Sequence, residues 1–315
     1  MLRPVPGRPP RVRRVPRVRT HRAVSPWLFL LPGLAVVAVF SLYPFVSTVG
    51  RAFTDARTLS PGHWVGLANF RAMAADEQFW VALRNSGLYV LLVVPFTVLL
   101  PLLLALLVEK PLRGVAFFRA AYYTPVVASV VVVALIWNWM LDDRGLVNGL
   151  LRLADAGPVP FLGDEWLLLF AAMALTVWKG LGYYMIIYLA ALATVPRELH
   201  EAAAVDGAGP LRRFTSVTVP AVRSTMVLVG ALSSVAAFKV FAEVFLLAGP
   251  TGGPAGQDTT LVMLVQRTGT GLGGRTGYAS ALSLVVFVVA LLLMLLVLYA
   301  GARDRTTRGP EGEAR

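Results

Sequence analysis

The chain has 315 residues, 57% hydrophobic and only 15% charged, with a mean hydropathy of +0.69 and a formal charge of +12. That balance is too apolar for a soluble domain of this length, and the apolar residues fall in blocks rather than at amphipathic spacing, so membrane spans are expected. Cysteine is absent, which excludes disulfides, thiolate metal sites and cysteine nucleophiles.

In chain order, residues 1–26 (MLRPVPGRPPRVRRVPRVRTHRAVSP) carry eight arginines among prolines and no core-forming pattern. They predict a disordered basic cytoplasmic tail, either lying against anionic headgroups or simply solvated. The positive charge is concentrated there, so it does not argue for nucleic acid. The apolar run that follows is too long for a signal peptide and has no small-residue cleavage site. Six stretches are long and apolar enough to span a bilayer: 27–49, 86–108, 120–141, 166–194, 224–248 and 278–300. A short tail, 303–315, closes the chain. With the N-terminus inside, cytoplasmic segments hold nineteen basic residues and external loops seven, while Asp142, Asp143, Asp155, Asp164 and Glu165 all fall outside. The bias predicts an all-α, six-span protein with both termini cytoplasmic.

The longest internal loop, 196–220, breaks the apolar pattern with ELHEAAAVDGAGPLRRF. Pro196 suits a first helical position, and Gly207 and Gly209 are expected to end the helix through left-handed backbone. Leu199, Ala202, Ala203 and Asp206 share one face. The result is a short helix with a ridge of small residues, which lets another protein approach closely, and Glu201 at its edge offers a charge to an Arg or Lys. The alternative is an amphipathic connector on the membrane surface, for which the alanines bury too little area.

Glu201-Ala202-Ala203, Gly207 after three intervening residues, and the later Val217-x-Val219-Pro220 resemble the EAA loop of membrane subunits of ATP-binding-cassette importers. Asp206-Gly207-Ala208 matches the sugar-importer form. LLPGLAVVAVFSLYPF, WVGLANFRAMAADEQFWVALRNS, FFRAAYYTPVVASVVVVALIWNWMLDDRGLVNGLL, VWKGLGYYMIIYLAAL, FKVFAEVFLLAGPTGGP and GYASALS follow in the order of carbohydrate and glycerol-3-phosphate permeases. The chain is thereby identified as similar to type I importer permeases over residues 27–302, with the core of that region at about 82–300. The resemblance implies a bacterial plasma-membrane location and a coupling helix at Glu201, Ala202, Ala203, Asp206, Gly207, Ala208 and Pro220. It also implies a pair of cytoplasmic ATPase subunits that bind ATP and Mg, a second homologous permease and an extracytoplasmic solute-binding protein. The solute would be a sugar or oligosaccharide, or glycerol-3-phosphate.

Ionisable groups inside spans are costly and mark a water-filled path or a partner. Lys179, Lys239 and Glu243 are such groups, and Lys239 and Glu243, four apart, share a face of a continuous helix and can pair. The pair is either structural or a meeting place for solute hydroxyls. By resemblance, Trp178, Gly180, Tyr183 and Phe241 join them as pathway candidates, with Tyr184 a weaker one. Asn148 and the acidic pair Asp142-Asp143 face the external side, where an approaching binding protein or plain solvent would meet them. Gly252-Gly253-Pro254 predicts a tight external turn.

The GxGxxG at 269–274 has no strand–helix context, and no GxxxxGK[ST] occurs, so no nucleotide site is expected in this chain. The histidines at 21, 63 and 200 lack metal-ligand spacing, and no nucleophile–base arrangement suggests an enzyme. A gradient-driven transporter is the competing class. It predicts two related halves, which are not evident, and leaves the 196–220 loop without a role. A receptor or scaffold would carry no intramembrane charges.

Overall fold

A computed structural model describes residues 24–109 and 114–306. Residues 1–23, 110–113 and 307–315 lie outside the described part, whereas residues 24–26, read as the end of the basic tail, open the first helix, and residues 303–306, read as the start of the closing tail, belong to the last helix. Residues up to Ser47 and residues from Thr48 onward form two compact units. α1 (Val24–Val37) runs through a wider helical turn, Ala38–Leu42, into α2 (Tyr43–Arg51), whose last four residues belong to the second unit, and none of the described side chains of these helices is buried.

The second unit is helical, with two isolated β-bridges, Thr54 with Trp64 and Arg57 with Ser60, among its described residues. A short α3 (Ala68–Ala74) precedes α4 (Glu77–Val108), whose first turn is capped by the Asp76 side chain. Pro95 and Pro101 lie inside α4 without breaking it, although each lacks the amide that would bond the carbonyl four residues back, at Leu91 and Thr97. Helices in lipid tolerate proline because nearby groups take up the freed backbone.

The stretch read as a third span, 120–141, is not one straight helix. α5 (Val115–Val127) ends at Ala128 and Ser129, both extended, α6 (Val130–Leu141) follows, and the stretch Val130–Leu153 as a whole leaves at 100° to α5. α7 (Leu146–Leu153) continues beyond a tight turn. α8 (Glu165–Leu192) is capped by Asp164, which accepts from the amides of Trp166 and Leu167. At Gly182 the backbone of α8 meets that of α5 so closely that a Cβ would overlap the Tyr122 carbonyl. Only glycine permits that approach.

α9 (Arg197–Val205) and α10 (Pro210–Arg213) form the 196–220 loop, and a wider turn, Phe214–Thr218, carries α10 into α11 (Val219–Phe238) without a break. The fifth span then stops. Lys239, Val240 and Phe241 leave the helix, and α12 (Ala242–Ala248) starts afresh. The sequence reading of a continuous 224–248 helix is corrected here. The Val240 carbonyl freed by the break accepts the Thr260 hydroxyl at 2.9 Å, so the polar backbone is satisfied inside the protein as lipid requires. After the loop come α13 (Leu261–Gly269) and α14 (Thr276–Thr306).

Five described helical segments are long and apolar enough to cross a bilayer, and six when the bent α5–α6 pair counts as one. α4 lies at the centre of the second unit, packed on α8 and α11, while α14 covers α11 and α13. Three clusters form the interior, around Tyr89 and Leu168, Phe238 and Leu282, and Leu102 and Tyr188.

Candidate solute pathway and coupling helix

The break in the fifth span decides which charges meet. Glu243 sits in the first turn of α12, so helical i,i+4 geometry no longer relates it to Lys239. Its carboxylate lies 3.8 Å from the Lys179 ammonium of α8, with side chains 18% and 24% exposed. Lys239 instead lines a separate cavity against α14, beside Ser283, Phe287 and Met294. The Lys239–Glu243 pair expected from sequence is therefore replaced by Lys179–Glu243.

The Lys179–Glu243 pair borders a cavity of about 250 Å³ between α4, α8 and the broken span. Gly180 and Tyr183 share it, as sequence proposed. So do Thr97, Thr176, Tyr184 and Ser233, and of these the sequence points only to Tyr184. Behind it, the Tyr89 and Thr176 hydroxyls are hydrogen-bonded at 2.9 Å. The missed groups are hydroxyls scattered over three helices, and no local spacing reveals that they converge. An ion pair, several hydroxyls and an aromatic ring around a small space can exchange hydrogen bonds with a polyol and pack against its C–H face.

Two candidates fall elsewhere. Trp178 turns away from this cavity, 6.0 Å from Trp137, into an apolar groove with Phe96, Leu100 and Phe170. Phe241 stacks on Phe245 at 5.0 Å and packs against the first interior cluster. Asn148, expected to face either a binding protein or plain solvent, is fully buried; it donates to the Asp142 and Val159 carbonyls and accepts from the Val159 amide. It holds the α6–α7 connection together.

The opposite feature is α9. It buries no residue, and Glu201 and Ala202 are exposed while Ala203 is half-buried. The helix starts one residue later than expected, with Pro196 as the extended residue before it. Its end is a Schellman motif: the Gly207 amide donates to Ala204 and the Ala208 amide to Ala203, with Gly207 at φ 75°. Gly209, expected to be left-handed, is not. At φ −66° it leads into α10. Asp206 is the residue after the last helical turn, and Pro220 lies in α11, facing a groove with Val227 and Gly301 rather than the α9 surface. Sequence reading overlooked the apolar contribution: Val205 is 89% exposed and Leu211 77% exposed beside the alanines. Arg197, Glu201 and Arg212 are exposed on the same segment, so the loop presents both apolar and charged side chains.

A membrane subunit with a polar cavity among its spans and an unburied helix on its longest loop defines the class of solute-transport components. A family model described as the binding-protein-dependent transport system inner membrane component matches residues 82–306, and the chain belongs to that family. It is thus a polytopic inner-membrane permease rather than an enzyme. The lactose transport system permease protein LacF of Rhizobium radiobacter is 31% identical over 292 residues, covering 91% of this chain and 97% of its own. The diacetylchitobiose uptake system permease protein NgcF of Streptomyces coelicolor is 34% identical over 303 residues, covering 91% and 84%. A chain in the crystal structure of a bacterial ABC transporter for import of the acidic polysaccharide alginate superposes with a TM-score of 0.78 at 26% identity, covering 88% of this chain and 94% of its own.

Proposed function

We propose that this chain forms part of the path for an uncharged sugar or oligosaccharide in an ATP-driven, binding-protein-dependent importer. The observation that carries the solute class is the Lys179–Glu243 pair on the hydroxyl-lined cavity. Paired charges leave the cavity without net charge, and a carboxylate beside the ammonium repels a phosphate or uronate. Glycerol-3-phosphate, the other solute considered, fits this balance poorly. Relatives named for lactose and diacetylchitobiose transport support a sugar; the solved neighbour imports an acidic polysaccharide, so the uncharged class rests on the ion pair alone.

In this reading α9 is the coupling helix. Two cytoplasmic ATPase chains bind ATP and magnesium, close, and move α9 together with its counterpart on a second permease. The spans then pass between inward- and outward-open states as rigid bodies. The N-terminus, α9 and the C-terminus are cytoplasmic by the basic-residue bias, and the 249–260 loop faces the binding protein.

The test is uptake into vesicles holding the complete importer, with labelled neutral disaccharides as solutes and glycerol-3-phosphate as competitor. Saturable, ATP-dependent disaccharide uptake that glycerol-3-phosphate leaves unchanged is expected. Efficient glycerol-3-phosphate transport would overturn the neutral-solute reading. Recovery of a P-loop ATPase with the tagged chain, weakened by Glu201→Ala, is the matching test for α9. A chain that purifies alone would return gradient-driven transport to first place.

A further inference from the structure

At the end of the spans away from α9, the chain between α12 and α13 folds into a closed cap. Gly249, Gly252, Gly253 and Gly256 have φ of 73°, 79°, 72° and 77°, which lets the backbone wind tightly. The Gly253 amide donates to Ala248 and the Asp258 amide to Gly252. From α4, the buried Asn85 amide donates to the carbonyls of Gln257 and Thr259, and the Ser86 hydroxyl accepts from the Leu261 amide.

Asp258 lies beneath this cap with no exposed surface, and neither carboxyl oxygen has a hydrogen-bond partner among the described residues. A Cβ on Gly253 would overlap its Oδ2, so the carboxyl is pressed against the turn. Gln78 Oε1, near Gly256, is a second buried acceptor without a donor. The nearby cations are already engaged. Arg84 of α4 pairs with Glu165 at 2.8 Å and lies 4.9 Å over Trp166, and Arg267 of α13 donates to the Thr251 carbonyl and the Thr259 hydroxyl. Glu165 and Asp164, at the start of α8, add negative charge. Burial first, then Glu165 and Asp164, outweigh Arg84 and push the Asp258 carboxyl up to about 7.

We propose that Asp258 is a proton-binding site of the outer cap, holding a neutral carboxylic acid while the 249–260 segment is seated and releasing the proton to water when that segment lifts. In the uptake direction a hydronium ion transfers its proton to a carboxylate oxygen, forming an O–H bond and leaving water. An ionised carboxylate in this position is a buried charge without a donor, whereas the acid carries no charge and gains a donor. The cap also holds the broken span, because Thr260 donates to Val240, two residues before α12 and three before Glu243. Proton occupancy therefore biases the element on which the pathway break rests. Acidic medium favours the seated cap and alkaline medium the lifted one; on the orientation proposed above, the medium is the extracytoplasmic one.

The purified complex in nanodiscs, carrying ¹³C-carboxyl aspartate, tests this by infrared difference spectroscopy between about pH 6 and pH 8. For a group titrating near 7, the protonated fraction falls from about nine-tenths to about one-tenth over that interval. A protonated carboxyl band that disappears with this midpoint in wild type, is absent in Asp258→Asn and titrates at lower pH in Glu165→Gln is the expected result. The folded value stands above the ordinary 3.8, so this group's contribution to thermal stability is full below about 3.8, is lost as pH rises toward about 7 and is level above it, whereas Asp258→Asn removes that loss. A carboxylate band at every pH above 5 would overturn the proposal, as would a band restored by chelators, which would make the ligand a metal cation. If Asp258→Asn fails to fold, the carboxyl ¹³C shift of the labelled wild-type protein, followed against pH, decides alone. None of these readouts requires sugar transport, so the proposal stands or falls apart from the solute reading.

Discussion

Single residues set the chemistry of the cavity. Lys179 and Glu243 meet at 3.8 Å only because the helix between α11 and α12 is interrupted. Glu243→Gln leaves an ammonium in the cavity without its counter-charge. Neutral-disaccharide uptake is expected to fall about tenfold, or about 1.4 kcal/mol, and glycerol-3-phosphate to become an inhibitor. Lys179→Met with Glu243→Gln should recover most of the loss, because no unpaired charge then remains. A double variant as impaired as the sum of the singles would mean the two side chains act separately. Asn148 is the contrasting case, a buried amide that serves the fold. Asn148→Ala should lower stability in detergent by about 1–3 kcal/mol by stranding the Val159 amide, with binding-protein affinity unchanged; a selective loss of that affinity would restore the contact role.

Elements owe their shapes to a few close approaches. Gly182 lets α8 press on α5 beside the α5–α6 bend, so Gly182→Ala must separate two backbones. A loss of about 1–3 kcal/mol is expected, against almost none for Gly149→Ala, which meets open space on α7. Equal melting temperatures for the two variants would show that the approach is not tight. The fifth span depends on one hydroxyl at its interruption. Thr260→Val keeps the shape but removes the donor to Val240, for an expected cost of about 1–3 kcal/mol, read as earlier thermal unfolding and faster exchange in α12. Neither device is visible in composition, since Gly182 and Thr260 look ordinary in their local runs.

At the scale of the whole molecule, the two ends of the second unit do different work. One end presents α9, with Glu201, Val205 and Leu211 exposed. The other is closed by the glycine-rich cap over Asp258. Gly207→Val forces a β-branched side chain into left-handed backbone at φ 75°, though the space around it is open. Membrane insertion should persist while ATPase co-purification and transport fall together by tenfold or more. Normal transport by that variant would remove α9 from the coupling role.

What was legible in the sequence was whatever depends on local pattern. Apolar blocks set the span count and helical class, Pro196 and Gly207 bracketed the exposed helix, and the Gly252-Gly253-Pro254 turn stands where it was read. The EAA motif and the segments in register with it point to the transport family without any tertiary information. The tertiary structure alone decided where spans bend and which side chains converge. The bend at Ala128–Ser129 and the interruption at Lys239–Phe241 both fall within predominantly apolar runs without amphipathic phase, and Lys239 by itself does not mark a break. Once the fifth span is interrupted, i,i+4 spacing no longer governs its charges, so Glu243 turned to Lys179 and Lys239 to α14. Trp178 left the cavity for an apolar groove while Thr97, Thr176 and Ser233 entered it. The choice depends on how α4, α8 and α11 are rotated against one another, a long-range packing property that no single stretch of sequence encodes.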